Sequence, residues 1–393
     1  MTGGARDWVE RELEAHRGEL VALRRHLHAH PEPSGEEFAT TELIVERLTA
    51  TGLEPRVLPS GTGLVCDVGR GSDAPTVALR ADIDALAMDD EKDVPYRSRR
   101  PGVSHACGHD VHTAVVLGAG LLLDRRLADQ RVRLVFEPSE ESVPGGAVEV
   151  LASGALDGVE RIFGLHCDPK LDVGRVGVRS GAITAAADRV EITLTGPGGH
   201  TARPGLTVDL VDVAALLARE LPRRVRAAAA PGEVLMVFGS IRAGDAPNVI
   251  PTHARLRGTL RTPDRSVWDR AEALVRDCLA QVLDGTGAGA ECHYGRGVPP
   301  VVNHPAETEV LAAAARRALG PDGVTDTPRS VGADSFAWYL ERLRGTYARL
   351  GTHPVGSAER FDLHAGTFDV DETAIDVGVA VLVHTVLDVL GLD

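Results

Sequence analysis

The stretch Ser104-His105-Ala106-Cys107-Gly108-His109-Asp110-Val111-His112-Thr113-Ala114 constrains this chain more than any other. Four side chains able to ligate a metal, His105, Cys107, His109 and His112, fall within eight residues. An apolar run, Val115 to Leu123, follows at once and reads as a helix. Gly108 lies between Cys107 and His109, where the loop must turn sharply. His109 and His112 are three apart, so they share a face if the helix has already begun. Thiolate and imidazole suit zinc and similar divalent ions. Any one of these residues alone would read as a reduced core cysteine or a surface histidine. The cluster as a whole argues against that.

A chain of 393 residues is too long for one ordinary core and about right for two domains. Its 43% hydrophobic and 25% charged residues are those of a soluble globular protein. The formal net charge of −15 argues against a nucleic-acid groove or an anionic membrane surface. It does not forbid an anionic substrate, because local metals and arginines outweigh the distant field. Cys66, Cys107, Cys167, Cys278 and Cys292 are an odd, scattered set, which favours free thiols in a reducing compartment. Met1 to Leu20 shows no apolar core after a basic start, and no apolar run reaches membrane length. A cytoplasmic protein is the expectation.

Along the chain, Val9, Leu13, Leu20, Leu23 and Leu27 space a surface helix over Asp7 to Leu27. Pro31 and Pro33 break it, and a second helix is expected from about Glu37 to Thr49. His26, His28 and His30 read as a solvated helix end, since no acid or thiol accompanies them at a recognisable spacing. Gly63 to Val68 and Thr76 to Ile83 read as strands. The second runs into Asp82-Ile83-Asp84, two carboxylates on one face of an extended chain. Open α/β sheets place their chemistry at such carboxyl ends. Asp84 is the stronger functional candidate of the two.

Arg131 to Phe136 is another strand, and it delivers Glu137-Pro138-Ser139-Glu140-Glu141. Pro138 stops simple continuation of the ladder. Two neighbouring carboxylates offer one metal ligand and one base, the division that a hydrolytic metal site needs. A short strand, Arg161 to Leu165, ends in His166-Cys167, the third strand to end in a ligand-type residue.

The pattern changes near Ser180-Gly181. Asp188 to Thr195 alternates apolar and polar like a half-exposed strand, and the turn Gly196-Pro197-Gly198-Gly199-His200 follows. Next come a helix (about Val208 to Arg219), strands (Glu233 to Ile241, Ala254 to Arg261), a helix (Ser266 to Leu283) and a strand (Ala290 to Tyr294). That β-α-β-β-α-β order is ferredoxin-like. It is expected as an inserted domain over 183–295, with 1–182 plus 296–393 forming a discontinuous α/β domain. The α/β pattern resumes with a helix (Glu307 to Leu319), a strand (Thr346 to Leu350) and a terminal apolar helix (Ile375 to Leu390).

Taken together, these stretches resemble the M20 metallopeptidase family, in its branch of hippurate, indole-acetyl-amino-acid and N-acyl-amino-acid hydrolases. The carriers are Arg80-Ala81-Asp82-Ile83-Asp84-Ala85-Leu86, His105-Ala106-Cys107-Gly108-His109-Asp110, Phe136-Glu137-Pro138-Ser139-Glu140-Glu141 and Gly164-Leu165-His166. Gly198-Gly199-His200, Asn248-Val249-Ile250-Pro251, Gly258-Thr259-Leu260-Arg261 and Leu363-His364 follow in the same order. The resemblance implies a zinc-peptidase-like α/β catalytic domain with an α+β ferredoxin-like lid and dimerisation domain. It implies that Cys107, His109, Glu141, His166 and His364 hold two divalent ions, zinc or manganese, with cobalt and nickel as further candidates. Glu140 would be the general base and Asp84 the acid that orients a ligand from behind. His200 and Asn248 would be oxyanion donors, His200 arriving from the neighbouring subunit of a homodimer. Ala87 and Ser104 depart from the family's usual proline and methionine, and Gly332 to Phe336 keeps only Asp334 of its usual acidic pair.

The implied reaction splits the amide of a small N-acyl or N-aroyl amino acid, or of a short peptide, into a carboxylic acid and an amino acid. Dipeptidase, carboxypeptidase and N-acetyl-diaminopimelate deacetylase activities are the enzymatic alternatives. A metal-binding scaffold would need a broken ligand set, and a Cys107–His109 thiol protease would have no use for Glu141, His166 and His364.

Overall fold

Strands buried on both faces read as continuous apolar runs, and Val77–Asp82 and Val132–Glu137 have every residue buried. In the computed structural model, which describes residues 3–392, both lie at the heart of an eight-stranded sheet. The sheet order is Arg56–Val57, Leu64–Val68, Val132–Glu137, Val77–Asp82, Arg161–Asp172, Arg344–His353, Val176–Val178, Val324–Asp326. The four central strands, from Val132–Glu137 to Arg344–His353, are parallel. Val77–Asp82 has later strands on both sides, so the winding reverses beside it and its carboxyl end opens into a crevice.

This sheet belongs to the first of two compact units, made of residues up to Ile183, Val302–Pro328 and those from Asp334 onward. Helices Gly3–Ala29, His109–Arg126 and Thr373–Val389 pack together in its core through Leu20, Leu23, Val115, Leu122, Val379 and Leu387. Close approach needs small residues. A Cβ on Gly118 would lie 2.8 Å from Leu20 and 2.9 Å from Val379.

The second unit comprises Thr184–Val301 and Arg329–Ala333. Its antiparallel sheet runs Leu235–Ala243, His253–Thr262, Ala186–Thr195, Gly289–Val298. Helices Leu210–Ala229 and Arg265–Leu283 share its core, and Asp209 and Asp264 cap their first turns with side-chain oxygens. This is the ferredoxin-like strand order. The unit extends past Gly295 because Val298 still pairs with Ala187, and it takes in Gly332, whose carbonyl accepts from Ala185 N at 2.9 Å.

Several expectations are corrected. The helix expected to end near Arg219 runs to Ala229 through Pro222, because Leu217, Leu221, Val225 and Ala229 keep one stripe buried. That packing outweighs the one hydrogen bond a proline removes. The strand expected to stop at Leu165 runs to Asp172, so His166 lies within it and not at its end. His28 is not solvated. It is fully buried, with Nδ1 2.7 Å from Asp110 Oδ2 and Nε2 3.2 Å from Asp90 Oδ2, while His26 and His30 are exposed. Its acidic partners lie far along the chain, where spacing could not reveal them. All five cysteines are free. No helix among the described residues is long and apolar enough to cross a membrane.

Candidate metal centre

The parallel strands set the candidate residues at one end of the first unit. Val77–Asp82 leads to Asp84, Val132–Glu137 leads to Glu140 and Glu141, and Arg161–Asp172 carries His166. Between them, Gly108 turns the chain with φ +86° into the helix that begins at His109. A Cβ on Gly108 would stand 2.7 Å from Cys167 Sγ, so only glycine fits this turn. His364 joins from the far end of the sequence, its backbone N donating to Ala106 O at 2.8 Å. It holds φ +58°, a left-handed conformation uncommon outside glycine.

Hydrogen bonds decide which nitrogens remain available. His109 Nδ1 donates to the Asp84 carbonyl at 2.9 Å, which leaves Nε2 with its lone pair. That Nε2 is buried and makes no hydrogen bond. His166 Nδ1 donates to Cys167 O at 2.7 Å, and its Nε2 faces Cys107 Sγ at 3.5 Å. His112 is different. Its Nδ1 meets Asp82 Oδ1 at 2.6 Å and its Nε2 accepts from Cys167 N at 2.8 Å, so both nitrogens are spent inside the protein. His105 is buried with neither nitrogen hydrogen-bonded, and burial pushes its pKa down to about 3.

Three overlapping groups gather donor atoms within 4.8 Å of one another: Cys107, His109 and His166; Cys107, Glu141 and His364; His109, Glu140 and Glu141. The five ligands expected from the sequence all fall among them, with Glu140 beside them. A fourth group, Asp82, His109 and His112, is drawn together by the Asp82–His112 bond. One thiolate-capable sulfur, three imidazoles and carboxylates form a donor set suited to divalent cations of borderline softness. A buried His109 Nε2 that makes no hydrogen bond fits that use.

Asp84 ties the groups together. Its Oδ2 accepts from Ser34 Oγ at 2.6 Å and from Glu141 N at 2.9 Å, and its Oδ1 lies 3.3 Å from His109 Nδ1. Arg80 stands behind, fully buried, with Nε on Glu137 Oε2 and Nη1 on Asp82 Oδ2, both at 2.7 Å. Sequence reading did not single out Arg80 or His112 for these roles. The available signal for Arg80 was a charge inside an otherwise apolar strand.

Burial works against charge on the His109 ring, but Asp82 and Asp84 outweigh it and hold its pKa well above the ordinary value, so a cation binding at Nε2 would take the place of a proton there. Burial also opposes ionisation of Asp82, and Arg80 prevails, keeping that carboxyl well below the usual range. Burial, then Asp334 and Glu141, push Glu140 well above it, while its Oε1 accepts from Ser335 N at 3.2 Å. Burial and Glu141 likewise raise Cys107. Burial and the Arg349 guanidinium hold His166 well below an ordinary histidine. Burial and crowded acids thus favour protons on Glu140, Cys107 and His109, positions where a bound cation would compete with them.

His200 and Asn248 lie in the second unit. Gly199–His200 pairs with Val249–Ile250, and Thr201 N donates to Asn248 O at 3.3 Å, so the two exposed residues are neighbours on one small ladder.

Comparison with known proteins adds family context. The profile of peptidase family M20/M25/M40 matches residues 78–388. A protein of Rhodococcus jostii (strain RHA1) named for glutamate–cysteine ligase is 46% identical over 96% of this chain; the chain spans only 47% of that protein. N-acetyl-L-cysteine deacetylase of Bacillus subtilis (strain 168) is 36% identical, across 91% of this chain and 85% of its own length. Among solved structures, the Bacillus subtilis YXEP protein, described as a dinuclear metal-binding peptidase of the M20 family, superposes with a TM-score of 0.84. It is 31% identical and covers 97% of this chain and 99% of its own.

Proposed function

Because the chain belongs to peptidase family M20/M25/M40 and is a hydrolase acting on amide bonds, we propose that it is a metal-dependent amidohydrolase of N-acyl amino acids. Its products are a carboxylic acid and a free amino acid. The observation that carries this reading is the convergence of Cys107, His109, Glu141, His166 and His364, which include a buried imidazole nitrogen that makes no hydrogen bond. In this reading those five residues hold two divalent ions. The thiolate favours zinc, and the oxygen ligands tolerate manganese. Such ions supply Lewis acidity, which acidifies water and polarises an amide carbonyl.

The rest of the chemistry falls to the chain. Glu140 takes the proton of the attacking water and returns it to the leaving amine, and its buried, acid-crowded setting raises its proton affinity above that of an ordinary carboxylate. Asp84 holds His109 in one tautomer by its carbonyl and fixes the Glu141 backbone by its carboxylate. His200 and Asn248 donate hydrogen bonds to the oxyanion that develops. Since an open metal site needs a cover, the second unit serves as a lid and dimerisation domain, with His200 acting in the partner chain.

A panel of N-acyl amino acids and dipeptides, assayed on stripped and on metal-reloaded protein, tests the reading. N-acetyl amino acids should be cleaved only after reloading with zinc or manganese. Turnover undiminished by complete stripping refutes the metal dependence, and exclusive cleavage of dipeptides replaces the substrate class.

A further inference from the structure

Most buried guanidinium groups of the first unit meet carboxylates. Arg24 pairs with Asp110, Asp369 and Glu372, Arg80 with Asp82 and Glu137, and Arg133 with Asp67. Arg349 does not. The residue is only 9% exposed, and its guanidinium makes no hydrogen bond or ion pair with the described residues. Its side chain lies over the Tyr347 ring and its nitrogens keep some access to solvent, so an anion could reach a cation that has no carboxylate of its own.

Its position says which ligand. Arg349 lies on Arg344–His353, directly beside His166 in the parallel register and opposite Gly177 on its other flank. Tyr347, two residues earlier, shares its face of the sheet. The Tyr347 ring lies 6.0 Å edge-on from the His166 ring, and Arg349 Cζ is 5.9 Å from the Tyr347 ring. A Cβ on Gly177 would come within 3.3 Å of Arg349 Cβ, so the glycine leaves room for the arginine stem. Arg349 therefore shares the face of the sheet where His166 meets Cys107, and no carboxylate of the described residues is within ion-pair distance of its guanidinium.

We propose that Arg349 is a specificity-determining residue that binds a carboxylate of the substrate. The proposal rests on the amidohydrolase reading and narrows it to amides that carry an anionic group within reach of His166. That carboxylate belongs either to the amino-acid half or to the far end of the acyl half. A planar guanidinium recognises both through the same two-pronged hydrogen bonds.

Three substrates separate these sources on the intact, metal-loaded chain: N-acetyl-L-alanine, N-succinyl-L-alaninamide, and N-acetyl-L-alaninamide, which has no carboxylate. Arg349→Met should raise KM on the order of 10- to 100-fold for a carboxylate-bearing substrate, as expected for losing a charged hydrogen-bonded pair, with kcat nearly unchanged. N-acetyl-L-alaninamide should not respond, and Arg349→Lys should recover part of the loss. The responding substrate identifies the source. Equal losses on all three, or none on either carboxylate substrate, overturn the proposal. If the wild type cleaves none of them, the amidohydrolase reading fails separately. Calorimetric titration with L-alanine and succinate then decides: binding weakened by Arg349→Met sustains the carboxylate site, and binding that is absent or unchanged refutes it.

Discussion

Glu140 accepts a hydrogen bond from Ser335 N, whereas Glu141, one residue on, reaches 3.3 Å from His364 Nε2 and 3.9 Å from His109 Nε2. Adjacent in sequence, the two acids have different surroundings and should fail differently. Glu140→Gln should retain bound metal and lose on the order of 10²–10⁴-fold in rate, the usual worth of a general base. Glu141→Gln should release or weaken metal, read by elemental analysis after dialysis. A Glu140→Gln rate near wild type at saturating metal removes the base assignment. Cys107→Ala should lower metal content and abolish turnover while leaving the circular dichroism spectrum intact; full metal and full activity would make Cys107 a structural thiol.

At the scale of the element, helix Gly3–Ala29 does more than cover the sheet. Its apolar spacing was legible, and Val9, Leu13, Leu20, Leu23 and Leu27 are all buried. Arg24 and His28 on the same helix were not, because charged residues on an amphipathic helix ordinarily face water. Here Arg24 Nε donates to Asp110 Oδ2 at 2.8 Å, and Asp110 immediately follows His109. The same guanidinium reaches Asp369 at 3.2 Å, five positions past His364. One buried arginine thus braces both segments that bring ligand-type histidines together. Arg24→Met should leave Asp110 buried with His28 as its remaining partner, costing about 3 kcal/mol in urea denaturation. Arg24→Lys keeps the charge without the fork and should fall between. A loss under about 1 kcal/mol for Arg24→Met would place these contacts at the level of surface pairs.

The whole molecule carries a pH signature. Burial opposes ionisation of Asp82, Asp90 and Asp110, but Arg80, His28 and Arg24 respectively outweigh it and hold all three below the ordinary aspartate range. For a depressed folded-state pKa, the stabilisation is present above the unfolded value and is lost as pH falls toward the folded one. Denaturation midpoints should therefore hold near neutrality and decline as pH drops through about 3.9. Midpoints unchanged down to pH 3 would contradict that. Assembly also belongs to this scale. If His200 completes the partner's site, mixing inactive His200→Ala and Glu140→Gln chains should restore activity after subunit exchange, since one heterodimer site carries both lesions and the other neither. No recovery despite demonstrated heterodimers confines His200 to its own chain.

The sequence by itself determined the elements and the donor set. Periods of two and of about 3.6 residues record which side of each strand or helix is buried, and Cys107-Gly108-His109 or Glu140-Glu141 announce their chemistry by residue type and spacing. What only the tertiary structure decided was the environment of each polar group. His112 looked as available as His109 until Asp82 and Cys167 occupied both its nitrogens. His28 looked solvated until Asp90 and Asp110 enclosed it. Arg349 carried no signal in the sequence; only the fold set its guanidinium beside His166 without a carboxylate. The reason is physical: the energy of a charge depends on what surrounds it in space, and Arg24 and Asp369 meet across 345 positions of chain.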